Sequence, residues 1–430
     1  MLSSLFYFIS NGDYLIILLL YLFINYYFYK IISHFKKPII LTMGIVVNLI
    51  ILFYFKYSSF MVENISLILG IDFKTPAQKE LPVGISFFCF MCISFLVEGY
   101  TKKNSEISLM KFSSYILCFP HLVAGPIIRY SEISSSLSQK VAIDKSRLRE
   151  SAIIFTKGFA MKVVIADTLA PIVDVIFEEN FVDTKLNFIL AWVGAISYSL
   201  QIFFDFAGYS LMAIGLGKLI GFDFPANFDK PYQAKNMNDF WKKWHITLTR
   251  WMKDYLYVPL GGNRYGRTRT YLNIMIVFGL SGLWHGASWN YVMWGFYNGL
   301  IVIAERLINI EKIHSPKIIR MVTTLLIIIG WVIFRCTNVN SLLGYLKKMF
   351  DLNSIGRYNL SDIEIFVSKF ELIAIFLIFL ITFFGGKRIA IINKLPKNSR
   401  TLTFIYLFLF GISSIVILFR SYQPFIYFRF

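Results

Sequence analysis

Apolar runs long enough to cross a bilayer recur along this chain, and nothing else limits its fold so strongly. A spanning helix needs about 20 predominantly apolar residues. Residues 14–32, 38–55, 82–100, 152–176, 187–204, 318–336, 371–386 and 402–419 meet that requirement. The stretch 271–304 holds two more spans, separated around Trp284–Ser288. Backbone surrounded by hydrocarbon must satisfy its own hydrogen bonds, so such runs fold as helices. The expectation is an all-α polytopic membrane protein with about ten transmembrane helices in one integral domain, 1–430. Composition agrees. Of 430 residues, 57% are hydrophobic and 16% charged, against roughly 45–50% and 25% in soluble domains.

The formal net charge of +18 is not a nucleic-acid footprint. Its lysines and arginines sit in short loops between apolar runs, where the positive-inside rule puts them, rather than on one solvated face. No nucleic acid partner is expected; the lipid bilayer is. Loop 387–400 has five basic residues and no acid, and 223–270 has nine basic residues against four acidic ones, so both are assigned to the cytoplasm. Loop 177–186, with Glu178, Glu179 and Asp183 against Lys185, faces outward. These sides thread through ten spans only if 112–128, 208–222 and 241–259 enter and leave on the cytoplasmic face. The first contains Pro120, Gly125 and Pro126, and the second has four glycines in fifteen residues. Broken backbone at membrane depth is tolerated where it lines a cavity or is covered by protein. An internal cavity open to the cytoplasm is therefore expected, with both termini outside and no cleavable leader before residue 14. Cys89, Cys92, Cys118 and Cys336 read as small residues facing helices or lipid, with no disulfide or metal expected.

Three of the five histidines are candidates for chemistry; His34 and His314 lie in basic loops and read as solvated. His285 is the lone acidic, basic or imidazole side chain between Arg269 and Glu305. An ionisable group in a span is costly and is by default a functional hypothesis. Desolvation favours its neutral form, which can accept a proton. Gly282 and Gly286 flank it and leave room for a substrate or another helix; interhelical packing glue is the plainer reading. His245 lies in 239–254, where Trp241, Trp244, His245, Leu248, Met252 and Tyr255 share one helical face and Lys242, Arg250 and Lys253 the other. That pattern predicts an amphipathic interfacial helix, either a surface anchor or part of a site. His121 sits at the break of 112–128, lining the cavity or capping a helix end. Asp205 either caps a helix beginning at Ala207, pairs with Lys218, or orients a histidine. Lys242, Lys243, Arg250 and Arg264, with the glycine turn before Asn263, suggest a basic rim able to capture an anionic donor; positive-inside topology alone would also produce it. The sequence contains no Walker A, GxSxG, HExxH or GxGxxG pattern.

Several stretches carry a resemblance. They are Leu81-Pro-Val-Gly-Ile-Ser-Phe-Phe88, Phe119-Pro-His-Leu-Val-Ala-Gly-Pro126, the run 198–217 around Phe203-Phe-Asp-Phe-Ala-Gly208, and 236–264, which holds Phe240-Trp-Lys-Lys-Trp-His245 and Tyr257-Val-Pro-Leu-Gly-Gly-Asn263. Gly282-Leu-Trp-His-Gly286, Gly330-Trp-Val-Ile-Phe-Arg335 and the tail 424–430 complete the set. In order and spacing they resemble the membrane-bound O-acyltransferase family, in its bacterial alginate and peptidoglycan O-acetyltransferase branch, over about 80–305 and again near the C-terminus. The glycine turn is more similar to the alginate type than to the teichoic-acid D-alanyl branch.

The resemblance implies a helical ring around a central tunnel, His285 as catalytic histidine and His245 as the second functional position, with Asp205, Trp244, Trp284, Asn263 and His121 supporting the tunnel. It implies acetyl-CoA as acyl donor with no bound cofactor or metal, a bacterial cytoplasmic (inner) membrane location, and O-acetylation of a cell-envelope polysaccharide. It further implies an extracytoplasmic SGNH-type acetyltransferase or hydrolase partner. D-alanyl transfer to a teichoic-acid-type acceptor, and a transporter or flippase without chemistry, are the competing readings.

Overall fold

The computed structural model describes residues 2–74, 81–101, 106–138, 144–354, 367–385, 400–419 and 425. Among them every regular element is helical. The principal helices are α1 (Leu15–Phe35), α2 (Pro38–Lys56), α3 (Ile85–Thr101), α4 (Lys145–Ala160), α5 (Asp167–Ile176), α6 (Phe188–Leu219), α7 (Met237–Lys243), α8 (Ile246–Met252), α9 (Gly266–His285), α10 (Trp289–Leu307), α11 (Pro316–Arg335), α12 (Lys369–Phe384) and α13 (Arg400–Phe419). Five of these, α1, α2, α6, α11 and α13, are long and apolar enough to cross a membrane. The chain is a polytopic membrane protein. The basic loop 387–400 lies outside the described residues except Arg400, and so does the tail 424–430 except Phe425.

The chain groups into two compact units: Met1–Ala152 with Ala213–Ala226, and Ile153–Met212 with Asn227–Phe430. In the first, α1 and α2 pack on α3, which is buried along most of its length. Polar groups tie the helices, as expected where lipid offers no partner. Asn48 Nδ2 donates to Asn25 Oδ1 at 2.7 Å, and Tyr21 donates to Asn48 Oδ1. Cys89 and Cys92 are buried thiols on α3. The expected break in 112–128 is present. A helix ends at Ile116, a single turn follows at Phe119–Leu122, and irregular backbone continues to Arg129. That backbone is buried within the unit, and Tyr115 Oη donates to the Ile128 carbonyl at 2.6 Å.

Two expectations are corrected. Segment 208–222 is not a separate re-entrant element, because α6 runs unbroken for 32 residues through Asp205 and Gly208. Its glycines serve close approach instead of interruption. A Cβ on Gly208 would meet the Gly158 carbonyl oxygen of α4 at 2.7 Å, so the two helices touch backbone to backbone. The stop comes later, at Gly221 with φ +100°, where Phe222 N–H donates to the Gly217 carbonyl, a glycine C-terminal cap. Asp205 is thus in mid-helix and caps nothing. It pairs with Lys162 at 2.8 Å, and Lys162 also binds Asp167. Lys218, the partner considered for Asp205, pairs with Glu150 and Asp223. Lys162 lies in a wide helical turn, Met161–Ala166, between α4 and α5; such local widening recurs at functional or strained positions.

The second correction concerns 241–259. The amphipathic periodicity predicts one helix, but the chain forms α7 and α8 with a break at Trp244-His245. His245 there has φ +42° and ψ +55°, the left-handed region that non-glycine residues visit rarely. The interruption expected within 271–304 is where the spans suggested, since α9 ends at His285 and α10 begins at Trp289.

Candidate active site

The candidate site lies in the second unit. The α9–α10 pair carries it, and glycines set the closeness of that pair. A Cβ on Gly282 would collide with the Tyr291 carbonyl oxygen, and one on Gly295 with that of Phe278. The space that Gly282 leaves is thus filled by the α10 backbone. Gly286, which follows in extended conformation, lies under the Tyr291 ring. His285 is buried at 5% exposure. Its ring is enclosed by Trp284, Trp294 and Phe334, at centroid distances of 5.0, 5.2 and 5.3 Å.

His245 is brought to the same region by α7 and α8. The first N–H groups of α7, from Met237 and Asn238, donate to the Glu305 carboxylate of α10 at 2.7 and 3.2 Å. Asn236 caps the helix through the Asp239 N–H. At the break, Trp244 packs on Trp331 at 4.6 Å. His245 stands edge-on to Phe206 of α6 at 4.7 Å. Its Nδ1 is 3.0 Å from Asn227 Oδ1. The same oxygen accepts from the Thr247 hydroxyl at 2.9 Å and the Thr247 N–H at 3.3 Å, while the Asn227 carbonyl accepts from Ile246 N–H. Asn227 thereby supplies the left-handed turn with hydrogen-bond partners. Trp284 touches both histidines, lying 6.3 Å from His245 and 5.0 Å from His285.

Both histidines line one cavity of about 610 Å³. Its walls are largely apolar, with Trp241, Leu248 and Phe278 among them, and Lys242, Arg250, Lys253 and Arg306 place four cations on its lining. Such a mixture, an apolar cleft with a few convergent polar groups, is the usual form of a ligand site. Burial pushes the imidazole of His245, which lies outside the candidate spans, down to about 3. Asp239 is also desolvated, which alone would raise it, but hydrogen bonds from the Lys243 ammonium and the Lys235 N–H hold its carboxyl below the usual value.

Lys242, Arg250 and Trp244 are among the residues that line the cavity. Trp284 is in ring contact with both histidines. Lys243 instead turns to Asp239 in a 2.8 Å ion pair. Asn263 and Arg264 are exposed on the glycine turn, whose Leu260 and Gly262 carbonyls are held by Asn273 Nδ2; the turn is fastened to α9 and is no part of the cavity lining. His121 belongs to the first unit, buried edge-on against Phe224 at 5.1 Å. Arg306, Asn227 and Glu305 escaped the sequence reading. Arg306 sits at the end of a span, where a basic residue reads as topology, and Asn227 lies 18 residues before the histidine it contacts.

The model of the membrane-bound O-acyltransferase family matches residues 4–343. The chain is 40% identical over 333 residues to the probable alginate O-acetylase of Azotobacter vinelandii, covering 75% of this chain and 64% of that one. It is 37% identical over 357 residues to the peptidoglycan O-acetyltransferase of Helicobacter pylori, covering 76% and 67%. Similarity to the teichoic acid D-alanyltransferase of Streptococcus thermophilus is weaker, 27% over 241 residues, covering 54% and 58%. The chain spans less than two thirds of the length of the Azotobacter relative.

Proposed function

The chain belongs to the membrane-bound O-acyltransferase family, and on that premise we propose that it moves an acetyl group from a cytoplasmic thioester donor toward O-acetylation of a cell-envelope polysaccharide. The supporting observation is that two buried imidazoles and four cations line one apolar cavity. Acetyl-CoA fits that lining. Its phosphates meet Lys242, Arg250, Lys253 and Arg306, and its pantetheine arm and thioester lie along the apolar wall. Charge-assisted contacts of this kind are the strong ones.

His285 acts as general base. As an acceptor hydroxyl oxygen attacks the thioester carbonyl carbon, Nε2 or Nδ1 of His285 takes the hydroxyl proton. The C–S bond then breaks, and the proton passes to the departing thiolate. General-base assistance is worth roughly 10²–10⁴-fold, and fixed placement of the reactants supplies more. His245 holds the reactants at the same point. The membrane is the bacterial cytoplasmic membrane. The final acceptor is an alginate-like or peptidoglycan hydroxyl, reached through an extracytoplasmic partner of SGNH type. The stronger similarity to the acetyl-transferring relatives favours acetyl over D-alanyl as the group moved.

The test is acetyl-CoA turnover by the purified protein in nanodiscs, with an acceptor partner present, for wild type and His285→Ala. Loss of turnover in a variant that folds as wild type supports the reading. Equal turnover removes His285 from the chemistry. A wild type that binds the donor without thioester loss and carries a polysaccharide across the bilayer would favour a transporter.

A further inference from the structure

We propose that Asn227 is a positioning residue that fixes His245 as the Nδ1–H tautomer and so makes its Nε2 a hydrogen-bond acceptor. The argument begins with Thr247. Its backbone N–H is among the first of α8, a position with no intrahelical acceptor, and it can only donate. The atom it meets at 3.3 Å, with the Thr247 hydroxyl at 2.9 Å, must therefore be the carboxamide oxygen of Asn227. The amide nitrogen on the other side donates to Ser210 Oγ at 3.1 Å, which is consistent with that orientation. The same oxygen lies 3.0 Å from His245 Nδ1. A carbonyl oxygen cannot donate, so Nδ1 carries the hydrogen, and in the neutral ring Nε2 carries the lone pair.

This deepens the acyl-transfer reading of the same cavity and rests on it for what His245 meets there. A neutral imidazole with its lone pair on Nε2 cannot donate to a thioester carbonyl. It can accept from an O–H or N–H of the reactants, such as the acceptor hydroxyl or a pantetheine amide. Polarising the carbonyl is thus not the task of His245. The arrangement follows the logic of a base oriented by a third group, here a neutral amide in place of a carboxylate. The left-handed backbone of His245 fits this role, because strained conformations persist where surrounding contacts over-determine them, and Asn227 supplies those contacts through both its backbone carbonyl and its side chain.

The experiment is magic-angle-spinning NMR of protein labelled with ¹³C,¹⁵N-histidine in lipid vesicles, without acyl donor, with His245→Ala identifying the His245 signals. Wild type should show a protonated Nδ1 and a bare Nε2 at His245. Asn227→Ala should release the ring toward the Nε2–H form that an unconstrained histidine side chain prefers. Asn227→Asp should keep Nδ1–H at high pH, and its added negative charge should raise the pH at which the ring protonates by about one to three units. The other ionisable groups on the cavity, Lys242, Arg250, Lys253, Tyr257, His285 and Arg306, are the same in each variant. In turnover, Asn227→Ala should lose kcat by roughly 10²-fold with KM little changed, and Asn227→Asp should recover it at high pH with a new acid limb. An Nε2–H signal in wild type overturns the proposal, as does Asn227→Asp with an unshifted titration; that second result decides the matter even if Asn227→Ala does not fold. Absence of acetyl turnover in wild type would remove the acyl-transfer reading while leaving the tautomer to stand or fall on its spectrum.

Discussion

Gly282→Ala adds one methyl group and should cost both stability and rate. That methyl would collide with the Tyr291 carbonyl oxygen and stand 3.3 Å from the Gly295 Cα, both backbone atoms of α10. Neither can swing away as a side chain would. To restore an ordinary contact, α9 and α10 must part locally by roughly 1 Å. Overpacking of this size typically costs about 1–3 kcal/mol. The kinetic cost is the more telling one. His285 stands one turn beyond Gly282 on the same helix, so the displacement moves its imbedded ring against Trp294 and Phe334. A misplacement of about 1 Å can lower a rate about 10²-fold, equivalent to about 2.7 kcal/mol of barrier. The assay is acetyl-CoA turnover in nanodiscs beside thermal unfolding of the same preparation. Gly411→Ala in α13 is the control, since open space surrounds Gly411, and it should match or exceed wild type in both measurements. Gly282→Ala with wild-type turnover would refute the idea that this glycine contact positions His285.

Two further outcomes follow from the charges. Arg306→Ala should raise KM for acetyl-CoA, more at low salt than at high, because one of the cavity cations is lost; Arg264→Ala, on the exposed turn, should leave KM unchanged, and steady-state kinetics at two ionic strengths separates the two. Asp205→Ala should destabilise the protein by about 1.5–3 kcal/mol, the usual worth of a charge-assisted hydrogen bond, since the Lys162 and Asp205 side chains are only 12% and 3% exposed while Lys162 keeps Asp167 as a partner. A thermal unfolding midpoint equal to wild type would show that the pair does not hold the Met161–Ala166 turn against α6.

Five of the ten expected spans, α1, α2, α6, α11 and α13, meet the spanning length and apolarity among the described residues; they were legible because their signal is local, an apolar run of spanning length having one stable outcome in hydrocarbon. Glycine is harder to read. In 208–222 the same residue type that would permit a break permits two helices to touch, and only the neighbour decides. Gly208 faces Gly158, whereas Gly221 turns the chain at φ +100°. The break at His245 was hidden for a different reason. The aromatic spacing from Trp241 to Met252 fits a helix, and the contacts at the break come from Asn227, 18 residues earlier, and from Trp331, far along the chain.

The basic rim shows the same limit from the other direction. Adjacency in sequence suggested Lys243 and Arg264, but side chains one residue apart on a helix do not face together, so Lys242 enters the cavity while Lys243 turns to Asp239. The rim gains Arg306 instead, through packing. Arg306 follows Glu305, whose carboxylate takes the first N–H groups of α7. One end of α10 thus anchors the start of the helix that carries Lys242 and adds its own cation to the same cavity. Glu305 thus fixes the start of the segment that leads to Lys242 and His245, and a change that loosens it should disturb donor binding and histidine placement together.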